Sequence, residues 1–127
     1  MQEKHLFEYA VIRVVPCVER EEFVNVGVIL YCATGRFLKT VYHLDETRLT
    51  AFSAALDVAE LQERLHAFEQ ICAGGKVGGT IGNLPIASRF RWLTATRSTV
   101  VQTSPVHPGL CTDAEATLQH LFKQLVM

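Results

Sequence analysis

Apolar and polar residues alternate along the first third of the chain, and the period then lengthens. Residues 6–16, LFEYAVIRVVP, are rich in β-branched and aromatic side chains and stop at Pro16, which predicts a strand. A charged connection, PCVEREE, leads to a second predicted strand, FVNVGVILYC, over residues 23–32. In simple alternation Val24, Val26, Val28, Leu30 and Cys32 fill one of its faces, while Phe23, Asn25, Gly27, Ile29 and Tyr31 make a mixed one. A turn at Thr34-Gly35 opens a third alternating strand over residues 36–44. Three consecutive strands with short connections predict an antiparallel meander.

Beyond residue 44 the apolar period becomes that of a helix. Asp45 can cap a helix carrying Leu49, Phe52 and Leu56 on one face. Asp57 and Glu60 have capping-box spacing ahead of the stripe Val58, Leu61, Leu65, Phe68 and Ile71, so Asp57 marks either a break between two helices or a kink in one. Gly74 is a C-terminal stop. Residues 74–88 hold five glycines without phosphate-loop spacing, and read as a mobile loop or as a lid over a site. Ser88 can cap a short helix through Leu93, although Arg89, Phe90, Arg91 and Trp92 also alternate as a strand would. The helix is favoured because it puts Phe90 and Leu93 on one face. STVVQTS, residues 98–104, predicts a fourth strand ended by Pro105 and Pro108. Thr112 and Glu115 have capping-box spacing before Leu118, Leu121, Phe122 and Leu125, a helix stripe. The expectation is one α+β domain over residues 1–127. Its four-stranded, mostly antiparallel sheet comprises the meander plus one later strand, with helices packed on one face.

Composition narrows the class. At 127 residues, 49% hydrophobic and 20% charged, the chain is long and apolar enough to bury one core without disulfides or metal. A formal net charge of -1 argues against duplex nucleic acid as a partner. No stretch approaches the roughly 20 apolar residues of a membrane span, and the polar N-terminus, broken by Arg13 and Pro16, makes a poor signal peptide. These features point to a cytoplasmic protein. The four cysteines form no CxxC pair and no histidine cluster completes a metal site, so free thiols and no metal or cofactor are expected. Cys32 and Cys72 fall among apolar residues, and Cys111 lies where a helix entrance could favour its thiolate.

The densest chemistry is RFRWLTATRSTVVQTSPVHPGLC, residues 89–111. Arg89, Arg91 and Arg97, with Ser98 beside the last, have the donors to fork a phosphate or carboxylate. The blander alternative pairs these arginines with Glu19, Glu21 and Glu22. Trp92 and Phe90 between them suit either base stacking or core anchoring. Arg13 and Asn25 should lie opposite each other across the first hairpin, as a satisfied polar pair or as a polar pocket on an open sheet face. Gly27 reads as a bulge or a close approach of another backbone or ligand. Ser104 and His107 have no nucleophile elbow and no orienting acid, so they make no catalytic pair.

The segments YAVIRVVP, EFVNVGVILY and FRWLTATRSTVVQTSPVHPGLC, taken together, resemble an uncharacterised bacterial family, domain of unknown function 3037, over nearly the whole chain. The resemblance brings no catalytic residues. It implies a kinase-like protein encoded nearby as a partner. The leading expectation is a non-enzymatic binding or regulatory module that engages an acidic or phosphorylated partner through Arg89, Arg91, Arg97, Ser98, His107, Arg13 and Asn25. Two alternatives stand beside it. One is a small enzyme on a phosphate- or nucleotide-bearing substrate, with His107 as acid or base. The other is a homo-oligomer, a dimer formed through a sheet edge without a ligand.

Overall fold

The computed structural model describes residues 3–97 and 99–127. β1 (His5–Val14) is the spine of a five-stranded antiparallel sheet. Along one edge it pairs with β2 (Val24–Cys32), which pairs in turn with β3 (Phe37–Tyr42), giving the meander that the alternation predicts. Along the other edge two short strands share β1 end to end. β4 (Val101–Thr103) lies on Ile12–Val14, and β5 (His107–Cys111) lies on His5–Tyr9. β5 corrects the expectation that Pro105 and Pro108 end strand structure there. It is an edge strand, and an edge tolerates a proline whose nitrogen faces away from the ladder. Ser104 makes the step from β4 to β5: its hydroxyl accepts from the Val11 amide at 2.8 Å, and its own amide donates to the Val11 carbonyl at 2.8 Å.

β2 does not keep one alternation. Ile12 pairs with Gly27 and Arg13 with Asn25, so Val26 is an extra residue in β2, a β-bulge. Gly27 is required at this point, because a Cβ there would stand 2.7 Å from the Val41 carbonyl oxygen and 2.9 Å from Tyr42 Cβ. The bulge reverses the facing of the strand. Val24 and Val26 join Ile29 and Tyr31 in one core, whereas Val28, Leu30 and Cys32 enter another.

The helices follow their caps. α1 (Glu46–Phe52) starts where Asp45 accepts from the Arg48 amide, and α2 (Val58–Ala73) where Asp57 accepts from the Glu60 amide. Residues 53–57 separate them, so Asp57 marks a break. Gly74 ends α2 at φ 81°, the left-handed region that glycine enters without strain. The glycine-rich stretch then folds as a 3-10 turn (Lys76–Gly78) and α3 (Gly79–Gly82), both packed on α2. α4 (Ile86–Leu93) begins after Pro85 rather than at Ser88, and Phe90 and Leu93 are buried as the helical reading of residues 88–93 requires. α5 (Ala114–Leu125) is capped by Asp113, which accepts from the Ala116 amide, rather than by Thr112.

The α+β class and the antiparallel sheet stand, but the helices do not all lie on one face. α1, α2 and α4 cover a core that includes Ile12, Val14, Ile29, Leu65 and Phe90. α5 covers the reverse side, over Phe7, Val28, Leu30, Cys32 and Cys111, with Leu118 fully buried between. The reason lies in β2, which is apolar on both faces past the bulge and needs cover on both. α5 packs on β2 and β3, and leaves the β1–β4 end of that face open. Among the described residues no helix is long and apolar enough to cross a membrane.

Candidate functional site

The three arginines of residues 89–97 diverge. Arg89 turns back toward α2. Its Nη1 donates to the carbonyls of Ile71 and Cys72 at 2.8 and 2.7 Å, and its Nε donates to the Leu84 carbonyl at 3.0 Å. It satisfies the open C-terminus of α2, a structural duty. Arg91 is exposed on α4, with no carboxylate in ion-pair range among the described residues. Arg97 folds over the end of α4. Its Nη1 donates to the Leu93 carbonyl at 3.2 Å, its Nη2 to the Trp92 carbonyl, and its guanidinium carbon lies 4.4 Å from the Trp92 ring centroid. Burial lowers the Arg97 pKa, yet an arginine stays protonated across the physiological range. None of the three pairs with Glu19, Glu21 or Glu22. Glu19 and Glu22 serve their own loop, where Arg20 pairs with Glu22 and the Cys17 thiol donates to Glu19. Ser98 lies outside the described residues.

Phe90 and Trp92 separate in the same way. Phe90 is a core residue stacked on Tyr31, with ring centroids 5.2 Å apart. Trp92 is 41% exposed and forms the lip of a groove between α2 and α4. The groove has a volume of about 200 Å³. Phe68, Ile71 and Val101 give it an apolar floor, and Arg64 and Arg97 stand at its rim. Arg64 also forms an exposed pair with Glu60 at 3.0 Å. Sequence reasoning did not assign Arg64 and Phe68 to a site. Their four-residue spacing on one helix, with Phe68 at the margin of the apolar stripe, was the available signal.

Arg13 lies on the opposite side of the sheet. It faces Asn25 across the β1–β2 ladder, as expected, and Gln102 across β1–β4. The two expected partners do not bond to each other. Asn25 instead donates to the Leu125 carbonyl at 3.3 Å and so closes the C-terminal turn of α5. The Arg13 guanidinium carbon lies 4.1 Å from the ring centroid of Phe23, and its Nε is buried with no acceptor among the described residues. Beside it runs a second groove, of about 410 Å³, lined by Arg13, Val15, Val18, Glu21, Phe23 and Gln102.

His107 is exposed at the start of β5, its ring 5.4 Å from that of Tyr9. It shares a sheet face with Arg13, but Tyr9 and Arg13 are four positions apart on β1, about 13 Å of strand. Arg91 and Arg97 lie beyond the opposite face. The gathering of His107 with two arginines that an enzyme reading requires is therefore not found in this geometry. Cys111 also differs from expectation. It ends β5 inside the α5 core, where burial and then the neighbouring Cys32 thiol raise its pKa rather than favour a thiolate.

Compared with known proteins, the chain matches no curated protein and no solved structure. A family model described as "Protein of unknown function (DUF3037)" matches residues 9–126. That match takes in the second half of β1, from Tyr9, and every later element, and the chain belongs to the DUF3037 family.

Proposed function

We propose that this protein is a non-enzymatic binding module that seats an acidic or phosphorylated partner in the groove between α2 and α4. One observation carries the reading: Trp92, 41% exposed, lies under the Arg97 guanidinium at the lip of an apolar groove. Tryptophan and arginine dominate the binding energy of interfaces, because each offers a large rigid surface that gains by losing water. Phe68 and Ile71 offer a floor for one apolar side chain of the partner. Arg97 keeps donors beyond the two that its carbonyl bonds use, and Arg64, which also pairs with Glu60, lines the same groove. This local excess in a chain of net charge -1 favours an acidic segment around an apolar anchor. The family resemblance makes a kinase-like protein of the bacterial cytoplasm the first partner to test.

The test starts with affinity capture from the native host, with mass spectrometry to identify the bound protein. Calorimetry then measures that protein against the wild type and Trp92→Ala. Removal of a hot-spot tryptophan should weaken binding by roughly tenfold or more. Unchanged affinity in the variant overturns the assignment of the groove.

A further inference from the structure

We infer that Arg13 and Phe23 form a second site, separate from the α2–α4 groove, that takes a small apolar monocarboxylate. Arg13 sits mid-way along the spine of the sheet with a neighbour strand on each side, so its backbone is fixed and its side chain is presented from a rigid element. That side chain emerges where α5 leaves the sheet open. No carboxylate of the described residues pairs with it, and its Nε is shut off from solvent without an acceptor. Neither amide oxygen beside it accepts from Nε, and both amide NH2 groups are turned elsewhere. Asn25 donates to the Leu125 carbonyl and Gln102 to the Thr99 carbonyl. Buried charged donors in folded proteins normally have an acceptor, so an orphan of this kind marks a place where one is to be supplied.

The lid over that nitrogen is Phe23. It is 44% exposed, precedes β2, and lies with its ring on the guanidinium. Displacement of the ring would expose Nε beside the adjacent Nη. These two parallel donors match the two oxygens of one carboxylate. The rest of the groove sets the remainder of the ligand. Val15 and Val18 offer apolar wall for a short hydrocarbon body. Glu21, also on the wall, repels a second negative charge and so selects a monoanion over a doubly charged phosphate.

The probe is isovalerate, with isovaleramide as its neutral isostere and inorganic phosphate as the competing anion. The readout is the Nε–H resonance of Arg13 in ¹H–¹⁵N spectra of the full chain, assigned by its loss in Arg13→Lys. Isovalerate should move that resonance downfield and saturably. Isovaleramide should bind roughly tenfold or more weakly, the ratio that one lost charge-assisted hydrogen bond corresponds to. Phe23→Ala should bind isovalerate more tightly, because the ring no longer competes for the guanidinium. Trp92→Ala should bind it as the wild type does, which separates this site from the groove on the other face. An Nε–H resonance that isovalerate leaves unmoved in both wild type and Phe23→Ala overturns the site. Equal binding of isovaleramide or of phosphate overturns the monocarboxylate assignment, and both comparisons are made on the wild type, with Arg13→Lys used only to assign the resonance.

Discussion

Arg89 holds the carbonyl of Cys72 at 2.7 Å across the gap between α4 and α2. The same nitrogen bonds the Ile71 carbonyl, and Nε bonds Leu84, so one side chain ties together the end of α2, the turn before α4 and α4 itself. Gly74 makes room for it: a Cβ there would stand 3.0 Å from Nη1. Arg89→Met should therefore lower unfolding free energy by about 2–3 kcal/mol, since it leaves two helix-terminal carbonyls without donors. Urea denaturation checks this. A loss under roughly 0.5 kcal/mol, the range of ordinary surface changes, would return Arg89 to the pool of recognition residues.

Leu118 is fully buried beneath α5, while Leu121 is only half-buried on the same helix. Leu118→Ala should cost about 2–5 kcal/mol, and Leu121→Ala clearly less. Midpoints compared at constant m-value measure the difference. The reverse ranking would mean that α5 is rotated from the seating described above.

The thiols should divide by exposure. Cys17 is exposed, and Cys32, Cys72 and Cys111 are buried. A coloured thiol reagent should modify one cysteine rapidly in the native protein and the other three only on unfolding. Fast reaction of two or more thiols contradicts the packing under α5 and α2.

Cys72 also predicts a pH dependence. Burial pushes its thiol up to about 11, against a neighbouring Thr40 hydroxyl at 3.2 Å. The unfolded chain releases this proton near pH 8.5, so between there and about 11 the unfolded state binds fewer protons than the folded one. Stability is then intact below pH 8.5 and falls as pH rises through the folded value. The loss on this account is of order 3 kcal/mol. Cys72→Ala should flatten the alkaline limb of the stability curve. An identical limb in wild type and variant removes Cys72 as its cause.

Arg91→Gln and Arg97→Gln should behave differently in a melt and alike in binding. Arg91 is exposed and bonds nothing in the described structure, so its loss should leave the thermal midpoint nearly unchanged. Arg97 closes the end of α4, and its loss should lower the midpoint modestly. Both variants should weaken partner binding. Added salt should weaken wild-type binding, since exposed charges are screened over about 8–10 Å. Calorimetry at two salt concentrations, with unchanged affinity throughout, would retire the cationic groove.

Much of the fold was legible because it is written in local chemistry. The meander follows from alternation, and Asp45, Asp57 and Gly74 mark helix ends through side-chain acceptors and a left-handed backbone. The later strands were harder. β5 carries Pro108 within it, and its edge position, which makes that proline harmless, is a property of the assembled sheet. The arginines misled for a geometric reason. Residues 89 and 91 sit about 200° apart on a helix of 3.6 residues per turn, so neighbours in sequence point apart in space. Arg97 lies past the helix end, and its direction is set by Trp92 and two carbonyls rather than by any repeat. The α2–α4 groove was illegible because its walls come from segments some thirty residues apart, and only packing brings them together.

The extra residue in β2 acts like a change of reading frame within one strand. Downstream of Gly27 the frame delivers Val28, Leu30 and Cys32 to α5. Upstream, the shifted frame delivers Val24 to the other core and turns Asn25 outward, level with Arg13. A strand of the same length without the shift would bury Asn25 and expose Val24. The polar strip beside Arg13 thus owes its existence to one surplus residue. At this strand substitutions are graded in effect, whereas changes of length are all-or-none.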